Sequence, residues 1–306
     1  MADSGWEKDA RVMADGIRRR VLGHTLRNDG GYLSQACSSA EILSVLYKKV
    51  LRIGAVESPI APRPFPGTPS PGNDKYLIGN DFHGRVTDDT DRFILSPTHY
   101  SLVLYSALIE AGRMAADGLL SFNLDGSSVE MIGAEHSPGM EVMTGSLGQG
   151  LSQGVGMALG RKLKGATGRV VVMMSDGEFQ IGMTWEAIQF MSHHGLDNML
   201  VYVDVNQQQC DGPVSSVMSV ESIAARILAF GGRAFDVDGH DVEALARPAD
   251  LARDGRPVFV IAHTDPCHGI ELLRRNAPKL HYLRFKSAAD KQAYQELLSE
   301  WQAGDK

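Results

Sequence analysis

Cysteine is scarce in this chain: Cys37, Cys210 and Cys267 are its three, far apart and in no CxxC arrangement. That excludes a disulfide framework, leaves no cysteine-built zinc site, and fits a reducing cytoplasm. Basic charge is not in excess either, because 30 Lys and Arg stand against 37 Asp and Glu, for a net charge of −7. A nucleic-acid partner would call for a basic stripe, so none is expected, and an anionic ligand would need local help to bind. No run approaches the roughly 18 apolar residues of a membrane span, and the opening "MADSGWEKDARVMADGIRRR" lacks the apolar core of a signal peptide. The expectation is a soluble chain with no membrane partner.

What is present is a globular composition: 306 residues, 43% hydrophobic, suffice for a full core. Apolar positions at helical spacing (Val12, Ile17, Val21, Leu22, Leu26) predict a helix over residues 8–28. A second helix is expected at "SAEILSVLYKKVL", with Ser39 as its cap, and both read as helices packed at the surface. Six prolines in "SPIAPRPFPGTPSP" forbid helix and central strand, so residues 57–73 are expected to form a long loop, either a lid or an excursion. From "DRFILSPTHYSLVLYSALIEAG" onward, buried strands ("GRVVVMM", "NMLVYVDV", "GRAFDVDG", "PVFVIAHT") alternate with helical stretches. That pattern predicts an α/β fold, a doubly wound, mainly parallel sheet with helices on both faces. We expect one domain over residues 1–306, closed by a terminal helix over about 286–306.

In an open parallel sheet, ligands bind beyond the carboxyl ends of the strands. Asp176 and Gly177 follow "RVVVMMS", and Asn206 follows "NMLVYVDV". If these strands are adjacent, a carboxylate and a carboxamide oxygen converge, which are the hard ligands Mg²⁺ or Ca²⁺ prefers. A helix starting after Gly177 would offer an anion only about half a positive charge, so a diphosphate there would need a divalent ion. The residues alone equally allow a plain strand-to-helix turn at Asp176 and a capping role for Asn206. In "TGSLGQGLSQGVGMALG", Gly145, Gly148 and Gly150 precede an apolar helical stripe; they serve either a bound phosphate or tight helix packing.

Taken together, these segments resemble the transketolase family of thiamine diphosphate enzymes. The acid-glycine turn, Asn206 and the later "QCDG" match the family's cofactor motif, which usually begins GDG. "RFILSPTHYSLVLYSAL" is similar to the stretch that commonly reads ILSKGHASPALYAAL, and "MTGSLGQGLSQGVGMALG" and "FDVDGHDVEAL" are close to family segments. The likeness runs over about residues 10–285 and corresponds to the N-terminal, diphosphate-binding half of a full-length transketolase. It implies the thiamine diphosphate-binding fold, with thiamine diphosphate and Mg²⁺ (or Ca²⁺ or Mn²⁺) as cofactors. The implied activity is transfer of a two-carbon ketol unit from a ketose or ketose phosphate to an aldose acceptor. The pyrimidine-binding half, with the glutamate that activates the cofactor, would be a separate C-terminal subunit, in a heterotetramer with two copies of each chain.

Carried over residue by residue, the resemblance implies Asp176 and Asn206 as metal ligands, with the backbone carbonyl of Gln208 as a third. Ser175 and Gly177 would flank the diphosphate, His99 would reach it, and Gly145, Leu147 and Cys210 would lie against the cofactor rings, Cys210 by packing. The candidate catalytic residues are Tyr32, His99, His136 and His281. Tyr32 stands where many relatives have a histidine, and His281 in "KLHYLRF" stands for the histidine of a WHG segment or is a surface residue. His136 in "GAEHSPGME" is either a substitute substrate histidine or a loop histidine. Further departures are Ser175 for the first Gly of GDG, Ile181 for a family glutamate, and "HTDPCHGIE" for the family's KGKG loop. They fall mainly on substrate-facing parts, so a specialised transketolase-like subunit is expected. The alternatives are a subunit of a 2-oxoacid decarboxylase or dehydrogenase, and a non-catalytic paralogue that binds a partner.

Overall fold

The computed structural model describes residues 5–304. Its strands are β1 (Gly30–Gly31), β2 (Arg92–Leu95), β3 (Val170–Ser175), β4 (Met199–Val205), β5 (Gln208–Gln209), β6 (Gly212–Pro213), β7 (Arg233–Asp238), β8 (Val258–His263) and β9 (Leu283–Arg284). The helices are α1 (Gly5–Arg27), α2 (Leu33–Val45), α3 (Ser101–Glu110), α4 (Gln149–Leu163), α5 (Gly182–His193), α6 (Val214–Val217), α7 (Ile223–Ala229), α8 (Val242–Ala246) and α9 (Ala288–Gly304). Positions 305 and 306 of the expected terminal helix lie outside the described residues.

Five strands form one sheet in the order β2-β3-β4-β8-β7, and every neighbouring pair is parallel. Strands β3 and β4 are buried along their whole length, the mark of strands covered on both faces. Alternate side chains sort to the two sides as the pleat requires. Phe93, Leu95, Val171, Met173, Leu200 and Tyr202 join the core under α1, α2 and α3. Ile94, Val170, Val172, Met174, Val201 and Val203 join the second core with residues of α4, α5 and α7. The doubly wound α/β architecture expected from the strand and helix alternation is what the chain adopts. Among the described residues, no helix is long and apolar enough to cross a membrane.

The second helix departs from expectation. It begins at Leu33, so Ser39 is no cap but an interior residue, and every residue of α2 is buried. Serine survives there because the hydroxyl satisfies itself on the preceding turn: Ser39 Oγ donates to the Gln35 carbonyl at 2.6 Å. The "SVLYKKVL" end continues as a π-helical turn, Leu46–Val50. The proline-rich segment has no helix and no ladder strand; it is tied down by an isolated bridge from Ile60 to Met114 and by the Phe65 amide donating to Gly126.

On α1, His24 is buried with its ring edge-on to Phe122, 4.7 Å between centroids. Asn28 Nδ2 lies 3.1 Å from Nε2, while Nδ1 is buried with no partner. Burial, then the nearby Arg27 charge, pulls the pKa of His24 down to about 4. Between pH 6.5 and about 4 the unfolded chain therefore binds a proton that the folded chain refuses. The stability that follows is fully present above pH 6.5 and is lost as pH falls toward 4. Urea midpoints should drop across that window, and the drop should be shallower in His24→Gln; superimposable pH profiles for the two proteins would contradict this.

Candidate functional site

Strands β3 and β4 are neighbours with Ser175 opposite Asp204, so their carboxyl ends lie level and Asp176 and Asn206 emerge side by side. Asp176 is 2% exposed, and its Oδ2 accepts the Gln207 N–H at 2.8 Å. Asn206 is held by its amide nitrogen, which donates to Tyr100 Oη at 2.9 Å, to Asp204 Oδ2 at 3.1 Å and to Ser38 Oγ at 3.3 Å. With the nitrogen committed to those acceptors, Oδ1 is left facing the other way, where it accepts the Gln208 N–H at 2.9 Å. The flip of the amide is thus fixed by its neighbours. Gln208 lies in β5 opposite Pro213, a residue with no N–H to offer the Gln208 carbonyl.

The electrostatics call for a cation. Asp204 is completely buried and accepts from Ser38 at 2.6 Å, Tyr100 at 2.8 Å, Asn206 and Thr264, all neutral donors. Burial pushes the Asp204 carboxyl up, against the pull of those hydrogen bonds. Burial first, and then the Asp204 charge, pushes Asp176 up to about 7. Among the described residues no lysine, arginine or histidine pairs with either acid, while Glu221 lines the same cavity of about 110 Å³ beside Asp176. The side-chain oxygen of Gln208 is buried without a partner. A carboxylate and an amide oxygen at neighbouring strand ends are donor types that fit a hard divalent ion and do not fit a soft one.

The turn after β3 differs from expectation. A 3₁₀ turn, Asp176–Gln180, follows the strand, and α5 begins only at Gly182. A capping box between Ser175 and Glu178 closes this turn, so Ser175 uses its hydroxyl locally. Gly145 and Leu147 are exposed. Gly148 has φ 79°, and a Cβ on it would meet Ile181 Cγ2 at 2.9 Å, so both its conformation and its surroundings demand glycine.

Three of the candidate catalytic residues come together. Tyr32 packs its ring against His281 at 5.5 Å and His99 at 5.8 Å, and the two histidines are 5.1 Å apart. His99 adjoins Tyr100, whose hydroxyl bonds Asn206, so this cluster continues into the strand-end group. Burial, then His281, pulls the pKa of His99 down to about 3, which keeps its imidazole neutral. Burial, then Tyr282 and Cys210, raises that of Tyr32. His136 lies apart: its ring stacks on Phe65 at 4.2 Å and its Nε2 meets Glu130 at 3.0 Å. Cys210 is exposed in the chain by itself. Sequence reasoning missed Asp204, Tyr100, Ser38 and Thr264; the one signal was an acid inside the apolar run "VYVDV". It also missed Gln35, which donates to the His281 carbonyl at 3.0 Å, and Tyr282, edge-on to Tyr32 at 4.9 Å.

The family model for the thiamine diphosphate binding domain of transketolase matches residues 80–272. An uncharacterised transketolase family protein of Sinorhizobium fredii is 36% identical over 274 residues, covering 87% of this chain and 88% of that protein. Human transketolase is 31% identical over 258 residues, covering 84% of this chain but only 37% of its own length. Among solved structures, transketolase from Campylobacter jejuni superposes with TM-score 0.68 at 20% identity over 97% of this chain and 48% of that one. A transketolase variant from Pichia stipitis superposes with TM-score 0.70 at 23% identity, over 97% and 45%.

The Tyr100 hydroxyl is the joint between Asp204 and Asn206, and removing it leaves a buried carboxylate and a buried amide each one partner short. Tyr100→Phe should destabilise the chain by about 1–3 kcal/mol. A shift of the urea midpoint would show this, and an unshifted midpoint would mean that the network is not under load.

Proposed function

Because this chain belongs to the transketolase family, we propose that it is the diphosphate-binding subunit of a thiamine diphosphate- and Mg²⁺-dependent ketol transferase. In this reading, Asp176, Asn206 and the Gln208 carbonyl hold the divalent ion that neutralises the diphosphate. When bound, the cofactor supplies the electron sink for breaking the carbon–carbon bond beside a ketose carbonyl. The chain's own residues bind and orient. His99, neutral at physiological pH, offers a hydrogen bond near the diphosphate end without adding charge. Tyr32, whose phenol is raised above its ordinary range, keeps its proton and positions a substrate hydroxyl instead of exchanging protons with it. His281 stands beside both at the mouth of the site, and its backbone is anchored by Gln35.

The observation that carries the reading is the pairing of Asp176 and Asn206 at level ends of adjacent parallel strands, with the Asn206 oxygen turned out by Asp204 and Tyr100. A non-catalytic partner-binding chain has no use for two uncompensated buried acids.

The substrate is a ketose or ketose phosphate with an aldose acceptor, and Tyr32 in the histidine's place supports a specialised choice among them. The pyrimidine-binding walls are supplied by a second subunit, two copies of each chain making a heterotetramer. The support is that the S. fredii relative, like this chain, is covered over most of its length, whereas human transketolase is covered over 37%. Ile132, Met143, Leu147, Ile181 and Met183 are exposed apolar side chains that such a contact would cover. The unpaired cysteines agree with a cytoplasmic setting.

With thiamine diphosphate, Mg²⁺ and a ketose–aldose pair, the chain alone should transfer no ketol, and adding the second subunit should restore transfer. Asp176→Ala should abolish it and remove the metal-dependent heat of cofactor binding, because the diphosphate would then face only backbone dipoles. Cofactor binding undiminished in Asp176→Ala would overturn the site, and turnover by the isolated chain would overturn the two-subunit arrangement.

A further inference from the structure

Three segments border the proposed cofactor site: the end of β2 that leads to His99, the glycine-rich start of α4, and the acid-glycine turn after β3. Building on the cofactor site proposed above, we propose that Glu178 is the positioning residue that latches these three segments into one rigid wall. Its carboxylate is fully buried and its two oxygens are divided among them. Oε1 accepts from the Ser96 hydroxyl and from the Gly148 N–H at 3.0 Å. Oε2 accepts from the Ser175 N–H at 2.9 Å, with the Ser175 hydroxyl at 3.5 Å.

The geometry around this carboxylate leaves little slack. A Cβ on Gly150 would fall 2.8 Å from the Ser96 Cα, so the glycine-rich segment lies directly on the end of β2. Gly148 is pressed on its other side by Ile181 and Thr184, and the Thr184 hydroxyl donates back to the Glu178 carbonyl at 2.7 Å. Both the side chain and the backbone of Glu178 therefore hold the corner where α4 and α5 begin. Its oxygens are spent on protein donors and point toward none of the open cavity beside Asp176, whose lining includes Asp176, Gln207 and Glu221 but not Glu178. Glu178 thus acts through the segments it holds and does not ligate the ion. Ile181, three residues on, is partly exposed and apolar, so Glu178 is the one acid side chain of this turn, besides Asp176 itself, available for the task.

A merely space-filling role and a latching role differ in what a shape-conserving change does. Glu178→Gln keeps the volume but replaces one acceptor oxygen by a donor, which faces either the Gly148 N–H or the Ser175 N–H and cannot bond it. In the chain without cofactor, amide hydrogen exchange should speed up at least about tenfold for peptides covering residues 96–99 and 145–150, while peptides within β4 and β8 keep their wild-type rates. Affinity for thiamine diphosphate with Mg²⁺, read by calorimetry, should fall by about tenfold. Unchanged exchange in both peptides would overturn the latch, and so would a uniform rise across the sheet, which signals general destabilisation. Local loosening with unaltered cofactor affinity would overturn the positioning role. If Glu178→Gln does not fold, Ser96→Ala removes one of the three ties and should loosen residues 145–150 in the same way; no loosening there overturns the proposal. Failure of the wild-type chain to bind thiamine diphosphate would instead count against the cofactor site, leaving the exchange result to decide the latch.

Discussion

Two buried carboxylates, Asp176 and Asp204, end up near each other at the carboxyl edge of the sheet, and among the described residues no cationic side chain pairs with either. Burying an uncompensated acid is costly, and burying two that repel each other is costlier. Elsewhere the chain handles buried acids conventionally: Asp91 is closed by Arg52 and Arg169, Glu141 by Arg92 and His83, Glu41 by Arg18 and His240. Asp176 and Asp204, like Glu178 in the turn beside them, are left with neutral donors alone, while these other acids face cationic side chains. A divalent cation is the counterpart proposed for them, and neighbouring side chains fix the oxygens that would face it. Tyr100, Ser38 and Thr264 tie Asp204 down, Asp204 turns the Asn206 amide, and the parallel register sets Asp176 beside it.

Much of this was legible in the sequence, for reasons that can be traced. The apolar runs of β3 and β4 are continuous because both faces are covered, and so they announce a parallel sheet and the positions of its ends. Asp176 and Asn206 fall just past those ends, and the transketolase likeness follows from the segments around them. What escaped notice was polar residues that do their work inside elements. Asp204 occupies a strand position that periodicity treats as core, and its significance depends on donors from α2, from the start of α3 and from the loop after β8, distant in sequence.

Helix α2 was misread for a related reason. Its serines and Gln35 look like a boundary in a hydropathy pattern, yet the hydroxyls of Ser38 and Ser39 bond their own helix or Asp204 and so can be buried without penalty. Loop histidines were the least predictable. Nothing in the spacing of "GAEHSPGME" foretells that His136 will stack on Phe65 of the proline-rich segment, or that His281, remote in sequence, will complete a cluster with Tyr32 and His99. Those placements are set by tertiary packing, which a single sequence does not encode locally.

The negative strand ends should require a metal to take up a diphosphate. Thiamine diphosphate titrated into the wild-type chain by calorimetry, once with Mg²⁺ and once with the metal removed by EDTA, tests this directly. Saturable binding with Mg²⁺ and none in EDTA is the predicted result. Equal binding in both, or binding in neither, would contradict it.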